Sequence, residues 1–293
     1  MSADTLSPLL QPWPGPFGGV PPWDEVDPDT FPAAFDRAID EAEQDIEAIA
    51  GDPSDPTFEN TVAALERRGR TLDRVGTLFG VHAGNLNVDP IPDILRSVGP
   101  LLAAHGDRMV QNDRLFARIE AVAAAPGRLD GPSERLLEDL HRHFVRNGAR
   151  LDEDCKAELA EINQQLASRY VEFSQNVLTD EAEQVTWIED EASLAGLPPS
   201  VVAALAATAT DKGRPGAWAV ANTRSAMDPV LTLAGDRDLR ERVWRTYYSR
   251  GEGRGLDGGE PGTGTGAGGD NRPIISAIRS LRARRARLLG SPS

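Results

Sequence analysis

The chain has 293 residues, enough for one large domain or two ordinary ones with a real core. Its net charge of −15, from 31 basic and 46 acidic side chains, argues against general binding to nucleic acid or anionic membranes. The single cysteine, Cys155, excludes an intrachain disulfide and any cysteine-rich zinc module, and no apolar run approaches the ~20 residues of a membrane span.

The first residues, Met1 to Asp4, lack a basic segment followed by an apolar run, so no signal peptide is read and the cytosol is the expected compartment. Residues 6–32 are too rich in proline for a helix interior. Leu9, Leu10, Trp13, Phe17 and Trp23 are too apolar for a free tail, which predicts an extended lead-in wrapped over the folded body rather than a polyproline ligand. A helix is predicted over 31–49, with Phe35, Ile39, Ala42, Ile46 and Ile49 on one face. Asp55 and Pro56 open a second, as N-cap and first turn, running to about Leu86 with Gly69, Gly76 and Gly80 inside it. Asp89 and Pro90 start a third that reaches about Val110, and shorter helices cover 112–125 and 133–147.

The longest element spans 152–178. Cys155, Leu159, Ile162, Leu166, Tyr170, Phe173 and Val177 recur at steps of three and four, which places all seven on one helical face. Asp152, Glu153 and Asp154 stand at its positive end. Such a helix needs other helices laid along its stripe. Residues 185–188 and 217–221 are short strand candidates, separated by a helix over 199–207. Asp236 caps a further helix, with Leu239, Val243, Trp244 and Tyr247 predicted inward and Gly251 closing it. Residues 251–269 hold ten glycines and read as a linker or surface loop. Pro273 opens the last helix, on Ile274, Ile275, Ile278, Leu281, Leu288 and Leu289, and Gly290 and Pro292 end it. The predicted fold is mainly all-α: a multi-helix assembly with one long central helix and a few short strands.

Chemistry is harder to find. None of the four histidines, His82, His105, His141 and His143, is followed by glutamate, so the HExxH zinc arrangement is absent. His141 and His143 are two apart, on different sides of a helix, and read as a partly exposed face rather than a metal pair. Gly264 to Gly269 matches GxGxxG but follows a helix instead of a strand, so a dinucleotide site is not read there. Cys155 sits on the helix stripe as a small core residue rather than a nucleophile. The last helix carries Arg279, Arg282, Arg284, Arg285 and Arg287, with Arg272 before it; docking on its own body is read ahead of lipid or RNA binding. Asp152 to Asp154, Asp180 with Glu181, and Glu189 to Glu191 mark helix ends and loops, with no catalytic pair among them. No catalytic, cofactor-binding or metal-ligating residue is assigned.

Several segments in series resemble the thimet oligopeptidase and bacterial peptidyl-dipeptidase family of zinc metallopeptidases, the oligopeptidase A-like enzymes. They are residues 8–23, Pro56 to Thr61 with its continuation from Ala64 to Gly69, Phe173 to Leu178, Leu194 to Pro198, Asp236 to Gly251, and Asp270-Asn271 leading to Gly290. The resemblance implies an almost wholly helical enzyme with a deep channel for short peptides, and zinc held by two histidines of HExxH and a later glutamate. This chain would supply the N-terminal portion, one wall of that channel, without any of those residues. Residues 1–235 would form the N-terminal helical domain with its proline-rich lead-in. Residues 236–293 would begin the catalytic domain, interrupted by the 251–269 stretch, which looks longer than the family's usual linker. The implied cofactor is zinc in the complete enzyme and none on this chain. The implied partners are short peptides and a complementary C-terminal half, with no nucleic acid and no membrane. Alone, such a portion would be inactive and would expose apolar surface that favours dimers or aggregates. A second reading is a non-catalytic helical module that binds peptides or a protein. A third is a regulatory protein acting through the basic last helix.

Overall fold

A computed structural model describes residues 8–16, 19–86, 89–253 and 269–291. The described residues are mainly helical, with one two-stranded sheet, in agreement with the all-α reading. The chain divides into two compact units, residues 1–168 with 280–293 and residues 169–279.

The first unit is built on α1, Phe31–Ala50, whose apolar period buries Phe31, Phe35, Ile39, Ala42 and Ile46 along one face. A second helical stretch begins at Thr57, not at Asp55. The Thr57 hydroxyl accepts from the Asn60 N–H at 3.2 Å while the Asn60 side chain accepts from the Thr57 N–H at 2.8 Å, a reciprocal cap that Asp55 is too far upstream to make. Nor is this stretch one helix to Leu86. A π-helical turn, Phe58–Ala63, runs into α2, Ala64–Arg67, and the chain breaks at Gly69. With φ at +66°, Gly69 is in the left-handed region, which ends one helix and lets α3, Arg70–Val81, leave in a new direction. A second π-helical turn, His82–Leu86, follows. Then come α4 (Ile91–Val110), α5 (Asp113–Ala124) and α6 (Gly131–Arg146). Asn112 and Asp130 cap α5 and α6 by accepting from the N–H groups of Leu115 and Ser133.

Helices α3, α4 and α5 all pack on α1. One core cluster joins Phe31, Phe35, Val75, Leu78, Phe79, Ile91 and Val98, and Phe79 meets Phe31 and Phe35 edge-on at 5.1 and 5.3 Å. Leu9 is buried in this cluster, and Leu10 and Trp13 pack against it, as the wrapped lead-in requires; Trp23 stays 44% exposed, and Phe17 lies outside the described residues. A second cluster gathers Ile46, Leu65, Val110, Leu115, Phe116, Ile119 and Phe144. Buried Arg118 donates to the Asp52 and Ser54 carbonyls at 2.7 and 3.0 Å, fastening the turn after α1 to α5.

The long helix α7, Glu153–Glu183, contributes to both units. In the first unit its predicted stripe is buried at Leu159, Ile162 and Leu166. In the second, the stripe is corrected. Tyr170 is 45% exposed, Phe173 and Val177 are half-buried, and the buried positions are Gln175 and Asp180, with Gln184 just past the end of the helix.

The second unit continues with β1 (Val185–Ile188), α8 (Pro199–Asp211), β2 (Trp218–Ala221), α9 (Arg224–Leu233), α10 (Arg237–Tyr248) and the first part of α11, Asn271–Leu288. The strands pair antiparallel, with Val185 opposite Ala221 and Ile188 opposite Trp218. Helix α9 is unforeseen, because Pro229 stands inside it and breaks the helical reading of the sequence. The core of this unit is Ile188, Leu194, Leu205, Val220, Met227, Val230, Leu239 and Val243. On α10 the predicted inward face holds for Leu239 and Val243 but not for Trp244, which is 50% exposed; Tyr247 is half-buried. Trp244 follows Val243 by one residue, about 100° around the helix, and so leaves the buried face.

Replacing Phe35 with Ala removes a ring packed against two others in the first unit. The loss expected in urea unfolding is about 3–5 kcal/mol, the usual cost of a large core truncation. A loss below about 1 kcal/mol would show that the aromatic cluster does not hold this unit together.

Candidate functional site

The four histidines all belong to the first unit and stand apart. His82 packs by Phe31 and Trp23, with ring centroids at 5.5 and 6.2 Å. His105, on α4, is buried with Nδ1 3.4 Å from Glu43 of α1. His141 stacks on Phe116, while His143 is exposed one turn before Asn147. Among the described residues no three His, Cys, Asp or Glu side chains come together as a metal site would need.

Cys155 is partly buried near the start of α7. The Asp152 side chain, together with the nearby charges of Glu158 and Asp154, raises its thiol pKa. Negative neighbours disfavour the thiolate, which is the reactive form, so the environment is the opposite of a catalytic cysteine's. Asp152 itself accepts from the Cys155 N–H at 2.8 Å, and this bond lowers its pKa, as expected of a carboxylate at a helix start.

The glycine match at 264–269 lies, apart from Gly269, outside the described residues. In α11, Leu281 is buried, Arg284 pairs with Glu158 at 2.8 Å and Arg285 donates to Asn147 at 2.9 Å, all within the first unit. Arg272 is paired with Asp270 at 2.7 Å in the second. These contacts bear out docking of the helix on its own body.

The polar chemistry that the sequence did not reveal is in the second unit. Asp180 has no exposed surface, and its Oδ2 accepts from the Gly251 N–H at 2.7 Å. The Gly251 carbonyl accepts from the Asn271 N–H at 2.7 Å, and Asn271 donates through Nδ2 to the Phe173 carbonyl at 3.1 Å. Asn176 donates to Asn271 Oδ1 at 2.9 Å, and Asn222 donates to the Asp180 carbonyl at 3.2 Å. Gly251 sits at φ +74°, and a β-carbon there would stand 2.4 Å from Asn271 Nδ2, so only glycine fits. Next to it, Arg250 pairs with Glu181 at 2.5 Å and lies over the Tyr247 ring at 3.9 Å. A signal for Asp180 was present: one further step of three from Val177, then one of four, lands on Asp180 and Gln184. The node ties α7, the end of α10 and the start of α11 together. It holds no nucleophile–base pair.

Two open clefts add little chemistry. One in the first unit, about 360 Å³, is lined by Glu41, Asp45, Arg67, Arg70 and Thr71. One in the second, about 430 Å³, is lined by Trp187, Glu189, Asp190, Ser193 and Arg242. Neither contains a histidine or cysteine.

No known family model matches the chain. Individual relatives do. The dipeptidyl carboxypeptidase of Salmonella typhimurium is 30% identical over 276 residues, which cover 94% of this chain and 39% of that protein. The dipeptidyl carboxypeptidase of Escherichia coli is 30% identical over 275 residues, 93% of this chain and 39% of that protein. A probable cytosolic oligopeptidase A of Arabidopsis thaliana is 28% identical over 302 residues, 99% of this chain and 40% of that protein. The chain is homologous along nearly its whole length to the oligopeptidase A-like peptidases, and spans about two fifths of the length of these relatives.

Burial of His105, with Arg68 and Arg108 nearby, lowers its pKa against the opposing pull of Glu43. The unfolded chain therefore takes up this proton at a higher pH than the folded one, near the ordinary value of ~6.5. The associated stability is present above that pH and is lost as pH falls through the folded pKa. Urea unfolding of the wild type at pH 7.5 and 5.5 is expected to show a larger acid loss than the His105→Gln variant. Equal losses would contradict the burial account.

Proposed function

We propose that the chain is the N-terminal portion of a zinc-dependent oligopeptidase or peptidyl-dipeptidase, a helical scaffold that forms one wall of a peptide channel and has no activity alone. The observation that carries this reading is the coverage: nearly all of the chain aligns with only about two fifths of proteins named as peptidases. The composition of the described residues supports it. Buried polar side chains serve largely as structural ties, among them Arg118 to the Asp52 and Ser54 carbonyls and the node around Asp180.

Zinc does not fit the residues present. The histidines are separated, no HExxH occurs in the sequence, and no three metal-binding side chains converge among the described residues. Zinc, the activated water and the peptide-cleaving step belong, in this reading, to a complementary C-terminal half. Residues 236–293 would open that catalytic domain. The cytoplasm is the proposed compartment. No described helix is long and apolar enough to cross a membrane.

The alternative, a non-catalytic module that binds peptides or a protein, draws on the exposed aromatic residues of α10. One assay separates the two. The purified chain, incubated with zinc and dialysed, is expected to retain no stoichiometric metal, to leave a blocked tetrapeptide uncut and to give no heat of binding with it. Cleavage or a stoichiometric zinc would overturn the scaffold reading, and micromolar peptide binding without cleavage would replace it with the binding module.

A further inference from the structure

Arg68 stands between the end of α2 and the break at Gly69, with its side chain half-buried. A guanidinium stays charged at any ordinary pH and needs acceptors for its N–H donors. Burial lowers the Arg68 pKa against the opposing charges of Asp73, Glu66 and Asp45. None of these carboxylates comes within hydrogen-bond distance. Among the described residues the one side-chain partner of Arg68 is the Met109 sulfur on α4, which faces Nη2. The buried Nε has no partner at all. Glu43 of α1 is already taken, by His105 and Arg108 of the same α4. A thioether is a weak acceptor, so a half-buried cation is poorly met here.

We infer that Met109 is a reversible oxidation site, whose sulfoxide oxygen is received by the Arg68 guanidinium. Hydrogen peroxide is the oxidant. The sulfur lone pair attacks one peroxide oxygen, the O–O bond breaks and an S–O bond forms. The proton of the transferred oxygen passes to the leaving one, which departs as water; the thioether loses two electrons and the peroxide gains them. Reduction by a pair of thiols, which become a disulfide, returns the thioether and releases water. In an apolar core such an oxygen disrupts packing. At Met109 it meets a cation already aimed at the sulfur and becomes the acceptor of a charge-assisted hydrogen bond. Met109 is also the accessible one of the two described methionines. It is half-buried at the edge of its cluster, whereas Met227 is 4% exposed inside the core of the second unit. Oxidation therefore tightens the tie between the end of α2 and α4 instead of loosening it.

The inference stands on the first unit alone and not on the peptidase reading, and either can fail without the other. The test treats the full chain with limiting hydrogen peroxide and maps the oxidised peptides by mass spectrometry. Met109 is expected to convert several-fold faster than Met227. Urea unfolding then compares reduced and oxidised chains, with Met109→Leu treated alike to subtract oxidation at Met1, Met227 or Cys155. Oxidation of the wild type is expected to leave its folding equilibrium constant within about twofold or to raise it, because the new oxygen finds a partner. Oxidation of the Arg68→Leu variant is expected to lower that constant about tenfold, the usual cost of a buried polar group left unpaired. If Arg68→Leu fails to fold, Met109→Gln, whose amide oxygen imitates the sulfoxide, is compared with Met109→Leu and is expected to be at least as stable. Met227 oxidised as fast as Met109, an equal change in wild type and Arg68→Leu, or Met109→Gln well below Met109→Leu would each overturn the inference.

Discussion

A carboxylate taken wholly out of water must be met by donors, and Asp180 is such a group at the point where three helices converge. Its contact with the Gly251 N–H, and the bonds that run on through Asn271 to Asn176 and Phe173, fix the second half of α7 against the end of α10 and the start of α11. The arrangement is demanding. The glycine cannot carry a side chain, and the Asn271 side chain is needed as both donor, to the Phe173 carbonyl, and acceptor, from Asn176. Polar contacts of this kind are directional, so they specify a register between helices that greasy contacts would leave loose. The bonds also bring the two ends of the stretch between Gly253 and Gly269 together, where Glu252 and Asp270 form an antiparallel bridge.

Helix α7 therefore carries two kinds of surface in sequence. Its first half buries Leu159, Ile162 and Leu166 in the first unit, and its second half buries Gln175 and Asp180 in the second, with buried Gln184 just past its end. Periodicity made the helix legible because most of the stripe is apolar. It did not reveal the change of character, because a buried acid continuing an apolar stripe looks the same in sequence as an acid at a helix end. The same limit applies to Trp244. Beside Leu239 and Val243 it reads as core, and only the geometry of α10 sets it outside. The sequence pattern places Gly69 inside one long helix, whereas its positive φ makes it a break. Proline inside α9 hid a helix altogether. Elements with clean periods, α1, α4, α5, α10 and the two strands, are readable nearly to their ends.

Each histidine is accounted for by packing or a single partner, and the cysteine lies in a negative setting that suppresses its reactive form. What the described residues have in abundance is framework: several aliphatic and aromatic core clusters, a polar node and capped helices. That framework suits the proposal that this chain is one portion of a longer peptidase, with the chemistry on another portion.

The measurement that bears most directly on this account is the nucleotide sequence downstream of the codon for Ser293, translated in all three frames. The account predicts His-Glu-x-x-His followed by a further glutamate, the ligand set of a catalytic zinc. No such motif in any frame would contradict it and leave a protein whose function is binding rather than cleavage.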